Sequence, residues 1–326
     1  MQENKLFLVI PCYNEEQVIE ETANRLLSII TKMIAKEVIS SESRIVFVND
    51  GSKDKTWQMI SALHAKNKLF SGVNLSRNVG HQNALLAGLM TVKKDADVVI
   101  SLDADLQDDI NVIWEFMDKY DQGNEIVYGV RNSRDTDTFF KKNTAQLFYR
   151  LMENMGVDTV YNHADYRLMS KRVLDELENF KEINLFLRGI IPLIGFRTDI
   201  VEYKRNERFA GESKYPLRKM LSFALNGITS FSVKPIRFVS ILGFCMVLIS
   251  IFILIYALFA RLTENVVKGW TFIIMSIWLL SGVQLLSLGI IGEYIGKIYS
   301  EVKQRPRYIV EKYINDQGGL NSNVAD

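Results

Sequence analysis

The chain has 326 residues, room for one large domain or two smaller ones. Its 39 basic and 38 acidic side chains leave a formal charge of +1, which excludes a general nucleic-acid binder, a class that is usually strongly basic. Two cysteines cannot build a disulfide framework, and three histidines without a Cys/His cluster exclude a zinc site, so a reduced, cytosol-facing catalytic part is expected.

The N-terminal stretch MQENKLFLVIPCYNEE has only a short apolar segment ending at Pro11, and no signal peptide is read in it. From there to about residue 205, short β-rich runs alternate with helical stretches. The runs are LFLVI (6–10), IVFVN (45–49), GVNLS (72–76), VVISL (98–102) and IVYGV (126–130), with helices predicted near 15–36, 55–66, 81–94 and 110–122. That alternation predicts an α/β fold, a mostly parallel sheet with helices on both faces. Ligands of such sheets bind beyond the carboxyl ends of the strands, and each run here leads into polar residues.

The loop after the second run, VNDGSKDKT, ends a strand at Asp50 and opens a helix near Asp54. Asp50 is placed to bind the base or ribose of a nucleotide, whereas Asp54 reads as a helix cap. In LSRNVGHQNALLAG, Arg77 is placed to approach a nucleotide, and His81 reads as a helix-start residue of no special role.

The fourth run breaks into DADLQDD. Asp103, Asp105 and Gln107 recur every second residue and project to one side of an extended segment. Hard oxygen donors of this kind suit Mg²⁺ or Mn²⁺ bridged to a diphosphate. Asp108 or Asp109 reads as the cap of the following helix. In NHADYRLMS, Asp165 and Arg167 stand two apart. One reading makes Asp165 a general base, with Arg167 fixing it or binding phosphate; the other makes them a structural ion pair.

Arg208, Lys214, Arg218 and Lys219 lie in RFAGESKYPLRKM, a basic segment suited to an anionic lipid headgroup. The apolar stretch 221–233 is suited to the membrane interface. Residues 238–260 and 270–292 are then two runs of 23 without a charge. At about 1.5 Å per residue each spans roughly 34 Å, enough to cross a hydrocarbon core of about 30 Å. Lys and Arg gather before the first run and after the second, so both termini are expected in the cytoplasm and the short loop outside. Gly282, Gly289, Gly292 and Gly296 suit close helix packing, within a chain or between copies, so a homo-oligomer through these helices is one expectation. Gln284 is read as an interhelical hydrogen-bonding residue. The final polar stretch, 315–326, is expected to be disordered.

Taken together, PCYNEE, VNDGSKDKT, LSRNVGHQNA, DADLQD and DYRLMS resemble the family 2 glycosyltransferases of the Rossmann-like GT-A fold. The closer resemblance is to the polyprenyl-phosphate branch, which includes dolichol-phosphate mannose synthase and bacterial undecaprenyl-phosphate glucosyl- and GlcNAc-transferases. RFAGESKY followed by two spans is similar to the bacterial members. The resemblance implies that Pro11, Tyr13, Glu15 and Asp50 line the base and ribose, and that Asp103, Asp105 and Gln107 bind metal and diphosphate. It also implies that Asp165 is the catalytic base, that Arg131 contacts phosphate, and that Arg208, Ser213 and Lys214 lie near the donor diphosphate and acceptor phosphate.

The Q-x-x-R-W motif of processive synthases is absent. The implied activity is therefore one inverting, metal-dependent transfer of glucose or GlcNAc from a UDP-sugar to undecaprenyl phosphate at the bilayer surface. A processive polysaccharide synthase and a non-catalytic, membrane-anchored nucleotide-sugar sensor are the alternatives. The expected domains are a catalytic domain (1–205), an acceptor-binding juxtamembrane segment (206–234), a transmembrane hairpin (235–297) and a cytoplasmic tail (298–326).

Overall fold

The apolar runs become strands because a sheet covered by helices on both faces rewards side chains that bury on either side. The structure is a computed structural model that describes residues 3–131, 163–183, 185–204 and 270–315, with isolated positions between 236 and 255. β1 (Leu6–Cys12), β2 (Arg44–Asn49), β3 (Phe70–Leu75), β4 (Val98–Ser101) and β5 (Ile126–Arg131) fall where the sequence predicts strands. Between them run α1 (Ile19–Ala35), α2 (Thr56–Lys66), α3 (His81–Val92) and, after a 3₁₀ turn at Ile110–Val112, α4 (Ile113–Asp121).

Later elements go beyond the prediction. β6 (His163–Ser170), α5 (Lys171–Leu177), α6 (Leu187–Leu193), β7 (Thr198–Tyr203), α7 (Trp270–Lys303) and β8 (Val310–Ile314) follow in order. The eight strands form one sheet in the order β7-β5-β6-β4-β1-β2-β3-β8. β1 to β4 run parallel and β5 pairs parallel with β7, but β6 is antiparallel to both β4 and β5. Successive strands step outward from β1 through β2 to β3, then β4 returns to the other side of β1. Ligand clefts open at such a reversal, beyond the carboxyl ends of the strands.

The direction of β6 matters for the site. Ile100 pairs with Leu168 and Ser101 with Arg167, so the antiparallel register brings the start of β6 to the carboxyl end of β4. Continued along both strands, the same register sets Asp165 opposite Asp103.

Two compact units share the chain, one of residues 1–149, 158–215 and 305–326, the other of 150–157 and 216–304. The segment 298–326, expected as a tail, divides between these units. Its first residues finish α7, and Val310–Ile314 pairs antiparallel with β3 as the sheet's last strand. A polar chain links that strand to the loop after β2. Asn74 donates to Glu311 Oε2 (2.7 Å), Asn49 donates to Asn74 Oδ1 (2.6 Å), and Asn49 Oδ1 accepts the Ser52 N–H (3.3 Å).

Counted over the described side chains alone, no helix is long and apolar enough to cross a membrane. The run 238–260 lies outside the described residues except at isolated positions, as do several side chains early in α7. Further along α7, consecutive faces are apolar and open: Leu285 is 71% exposed, Leu286 63% and Leu288 57%. Nothing described lies within 4 Å of a Cβ placed on Gly282, Gly289, Gly292 or Gly296.

Candidate active site

The loops at the carboxyl ends of β1, β2 and β3 hold one another. Asn14, with a left-handed φ of 54°, donates its N–H to Ser52 Oγ (2.9 Å) and accepts the Lys53 N–H on Oδ1 (2.9 Å). Glu15 donates its N–H to Thr56 Oγ1 (2.9 Å). Pro11 is buried within β1, Tyr13 is 37% exposed beside it, and Arg77 is exposed at the end of β3. Asp54 Oδ1 accepts the N–H of Thr56 (3.0 Å), the first residue of α2.

Asp50 is occupied by the backbone of the loop before α3. It is 3% exposed, and its two oxygens accept the N–H groups of Val79 (2.7 Å) and Gly80 (3.0 Å). Its carboxylate thus holds the loop that opens α3. Burial pushes its pKa up, and the two backbone donors pull it back only in part. Gly51 is required beneath this loop: φ is +61°, and a Cβ would come within 2.5 Å of the Arg77 and Asn78 backbone.

The loop after β4 carries the acidic run. Thr22 Oγ donates to the Ala104 carbonyl (2.8 Å), and Leu106 is buried at a left-handed φ of 56°. A bulky residue held in that region stores strain, a feature that clusters at functional sites. Asp105 Oδ1 accepts the Gln107 N–H (3.2 Å). Asp109 caps the 3₁₀ turn through the Asn111 N–H (2.9 Å), as expected. Asp108 does not cap: its side chain is buried, and Oδ1 accepts from the Tyr203 hydroxyl (2.6 Å) and from Arg131 Nη2 (3.3 Å). Arg131, expected at phosphate, is thus tied to Asp108 and Tyr203.

Asp165 is the hub. Its Oδ1 accepts from Arg167 Nη2 (2.5 Å) and Arg188 Nε (3.2 Å), and its Oδ2 accepts from Arg188 Nη2 (3.1 Å). His81 Nε2 stands 3.6 Å from the same Oδ2 and 3.5 Å from Asp103 Oδ1. The Ser101 hydroxyl holds the Asp165 carbonyl (2.6 Å), and Gln82 Oε1 accepts the Leu187 N–H (3.1 Å), which ties the start of α3 to the start of α6.

Electrostatics follow from this packing. Burial alone would raise the Asp165 carboxyl, but Arg188, His81 and Arg167 outweigh it and hold the group well below the usual range. Burial opposes charge on His81 too, yet Asp165 and Asp103 raise its pKa to about 9. Asp103 is pushed up, first by burial and then by Asp108, Asp165 and Asp105, against the pull of His81. Carboxylates crowded in this way gain from a further cation.

Among the described residues no group of three or more His, Cys, Asp or Glu side chains is gathered as a metal cage. Mg²⁺ and Mn²⁺ do not need one: one or two carboxylates suffice when waters and substrate phosphates complete the shell. Asp103 and Asp105, with Gln107 beside them, fit that pattern of hard oxygen donors. Arg208, Ser213 and Lys214 lie outside the described residues. His81, Arg188, Asp108 and Tyr203 join the site although sequence reasoning did not place them there. Their only advance signal, the polar residues beyond the strand ends, is shared with many bystanders.

Residues 7–178 match the glycosyl transferase family 2 profile. An uncharacterized glycosyltransferase of Bacillus subtilis, YkoT, is 56% identical over 306 residues, covering 94% of this chain and 91% of that protein. The SfII prophage-derived bactoprenol glucosyl transferase of Shigella flexneri is 40% identical over 312 residues, covering 94% of this chain and 98% of the relative. Among solved structures, glucosyl-3-phosphoglycerate synthase from Mycobacterium tuberculosis in complex with Mn²⁺, UDP and phosphoglyceric acid superposes with a TM-score of 0.45 at 16% identity, over 69% of this chain and 76% of that one.

Proposed function

The chain belongs to glycosyl transferase family 2 and is a hexosyltransferase, and from that premise we propose that it moves one sugar, glucose or GlcNAc, from a UDP-sugar to undecaprenyl phosphate and releases UDP. The observation that carries this reading is the meeting of the Asp103–Asp105 loop with the Asp165 cluster at the carboxyl end of β4. The bactoprenol glucosyl transferase, 40% identical along nearly all of the chain, supports the acceptor class.

Asp103, Asp105 and Gln107 hold a divalent cation, Mg²⁺ or Mn²⁺, which when bound supplies Lewis-acid neutralisation of the leaving diphosphate. Tyr13, Glu15 and Arg77 face the nucleotide from the loops after β1 and β3. Asp50 acts at one remove, by fixing the loop that carries His81. A phosphate monoester has a second pKa near 6, so the acceptor oxygen is largely ionised at neutral pH and attacks without prior proton loss. A single displacement inverts the anomeric centre. The residues of this chain bring two anionic substrates together and offset their repulsion.

The same reading puts the enzyme on a membrane. The run 238–260 and the first 23 residues of α7 carry no charge. A helix apolar on every face, as the exposed leucines of α7 are, suits lipid. The chain leaves the catalytic unit near residue 215 and rejoins it at 305, which fits an even number of crossings. Arg208, Ser213 and Lys214, just before the first run, would then meet the acceptor phosphate at the cytoplasmic surface.

The test is transfer of labelled sugar by the purified full chain in vesicles containing undecaprenyl phosphate, with UDP-glucose and UDP-GlcNAc compared. A lipid-linked monosaccharide is expected from one of them. Polymer, or UDP release that ignores the lipid phosphate, would refute the reading.

A further inference from the structure

The sheet's last strand carries one irregularity. Lys312 stands opposite Asn74 of β3, but Val310 stands opposite Leu75, so Glu311 is the extra residue of a β-bulge. A bulge re-aims a side chain, and here the exposed Glu311 carboxylate accepts from the Asn74 amide (2.7 Å). The strand does not depend on that bond. The ladder with β3 holds it, the Ile309 carbonyl accepts the Ser76 N–H (3.1 Å), and Ile314 packs on the core.

Beyond Glu311 the hydrogen bonds all run one way. The Ser52 N–H can only donate and the Glu311 carboxylate only accept, which fixes the orientation of both amides between them. Asn49, 2% exposed at the end of β2, takes the Ser52 N–H on Oδ1 and donates to Asn74, which donates in turn to Glu311. Bonds aligned in this way polarise one another, and a carboxylate at the accepting end strengthens them. At the other end Ser52 Oγ accepts the Asn14 N–H, and Asn14 Oδ1 accepts the Lys53 N–H. Asn14, at its left-handed φ, is the residue between Tyr13 and Glu15.

We propose that Glu311 is a positioning residue for the donor nucleotide. Through Asn74 and Asn49 it sets the loop of residues 50–53, and through Ser52 it sets the turn that carries Tyr13 and Glu15 to the UDP moiety. The segment that follows α7 thus completes the donor half of the site, and its effect falls on nucleotide affinity and not on the lipid acceptor. The inference rests on the UDP-sugar donor proposed above.

The experiment measures UDP binding by calorimetry and the KM for undecaprenyl phosphate, using the full chain in vesicles. The variants are Glu311→Ala, Glu311→Gln, Asn74→Asp and the pair Asn74→Asp/Glu311→Gln. Glu311→Ala is expected to weaken UDP binding by roughly 3–10-fold, part of the worth of a charge-assisted hydrogen bond. Glu311→Gln keeps an acceptor without the charge and should fall between Glu311→Ala and wild type. Asn74→Asp sets a second carboxylate against Glu311 and should cost more than either. The pair restores donor and acceptor in reversed order and should return UDP affinity to within about threefold of wild type, a non-additive cycle. The lipid KM stays at the wild-type value throughout. Unchanged UDP affinity in Glu311→Ala overturns the proposal. So does a pair as weak as Asn74→Asp alone, or a lipid KM that rises in step with the UDP loss, the mark of a general structural role. Should Asn74→Asp not fold, the two Glu311 variants, on an exposed side chain, decide alone. A wild-type protein with no UDP affinity sinks both this inference and the functional reading. One that binds UDP yet never glycosylates lipid phosphate sinks the functional reading only, and the calorimetric arm still reports on Glu311.

Discussion

Tyr203 donates its hydroxyl to Asp108 Oδ1 at 2.6 Å, while Arg131 reaches the same oxygen at 3.3 Å. The three residues come from β7, the acidic loop and β5, so the pairing fastens that loop to the far side of the sheet. Tyr166 completes the support, its ring stacked edge-on against Tyr203 and its hydroxyl donating to the Asp109 carbonyl (3.2 Å). Tyr203→Phe removes one donor and leaves a buried carboxylate with Arg131 alone. A loss of about 1–2 kcal/mol of stability is expected, read by urea unfolding of the membrane-reconstituted or detergent-solubilised chain. Donor turnover should also fall, because the loop carrying Asp103 and Asp105 loses its tether. Turnover and stability both at wild-type values would show that the tether does nothing.

How far the sequence reveals this site depends on what each element buries. β1 to β5 are legible because both faces of a covered sheet demand apolar side chains, and runs such as LFLVI and VVISL admit no other reading. β6 is not, because one of its buried faces carries Asp165 and Arg167 where the pattern calls for apolar residues. β7 alternates open and buried positions along TDIVEY, and β8 is a short edge strand that exists only by pairing with β3. The acidic loop announces itself through its spacing. His81 and Arg188 do not, since a lone histidine at a helix start and an arginine in LFLRG look like surface residues until the fold brings Asp165 between them. Asp50 has a structural task the sequence does not announce, because its oxygens accept the backbone N–H groups of Val79 and Gly80.

Acid sensitivity should concentrate at Asp165. Its folded pKa lies well below the unfolded value of about 3.9. A depressed carboxyl contributes stability that is fully present above the unfolded pKa and is lost as pH falls through the folded one. Unfolding monitored from pH 6 downward should therefore show stability declining below about pH 4. Asp165→Asn should flatten that decline. At neutral pH the same variant leaves Arg167 buried against Arg188, and a loss of about 3–5 kcal/mol is expected. A variant as stable as the wild type at pH 7 would contradict the hub role given to this carboxylate.

Metal removal tests the acidic loop directly. Chelation should abolish transfer, and Mg²⁺ or Mn²⁺ should restore it. Asp105→Asn should lose metal-dependent turnover while keeping a normal melting profile, because the Gln107 N–H can still find the amide oxygen in place of Oδ1. The effect belongs to ion affinity and not to folding, so raising the metal concentration should recover part of the rate. Near-normal activity of Asp105→Asn at low metal would end the assignment.

The return of the chain into the sheet at β8 bears on topology. Residues before 215 and after 305 belong to one unit, and Val310–Ile314 is hydrogen-bonded to β3, so both flanks of the intervening segment are expected on the same side of any membrane it enters. A single crossing would require β8 to leave the sheet and expose the edge of β3. It would also break the chain from Glu311 through Asn74 and Asn49 to the loop after β2. With Cys12 and Cys245 replaced, a cysteine introduced by Thr263→Cys in the connection 261–269 should react with a membrane-impermeant maleimide added to intact cells. One introduced by Asn315→Cys should react only after the cells are opened. Labelling of both from outside, or of neither, would be incompatible with a hairpin and would overturn the topology proposed above.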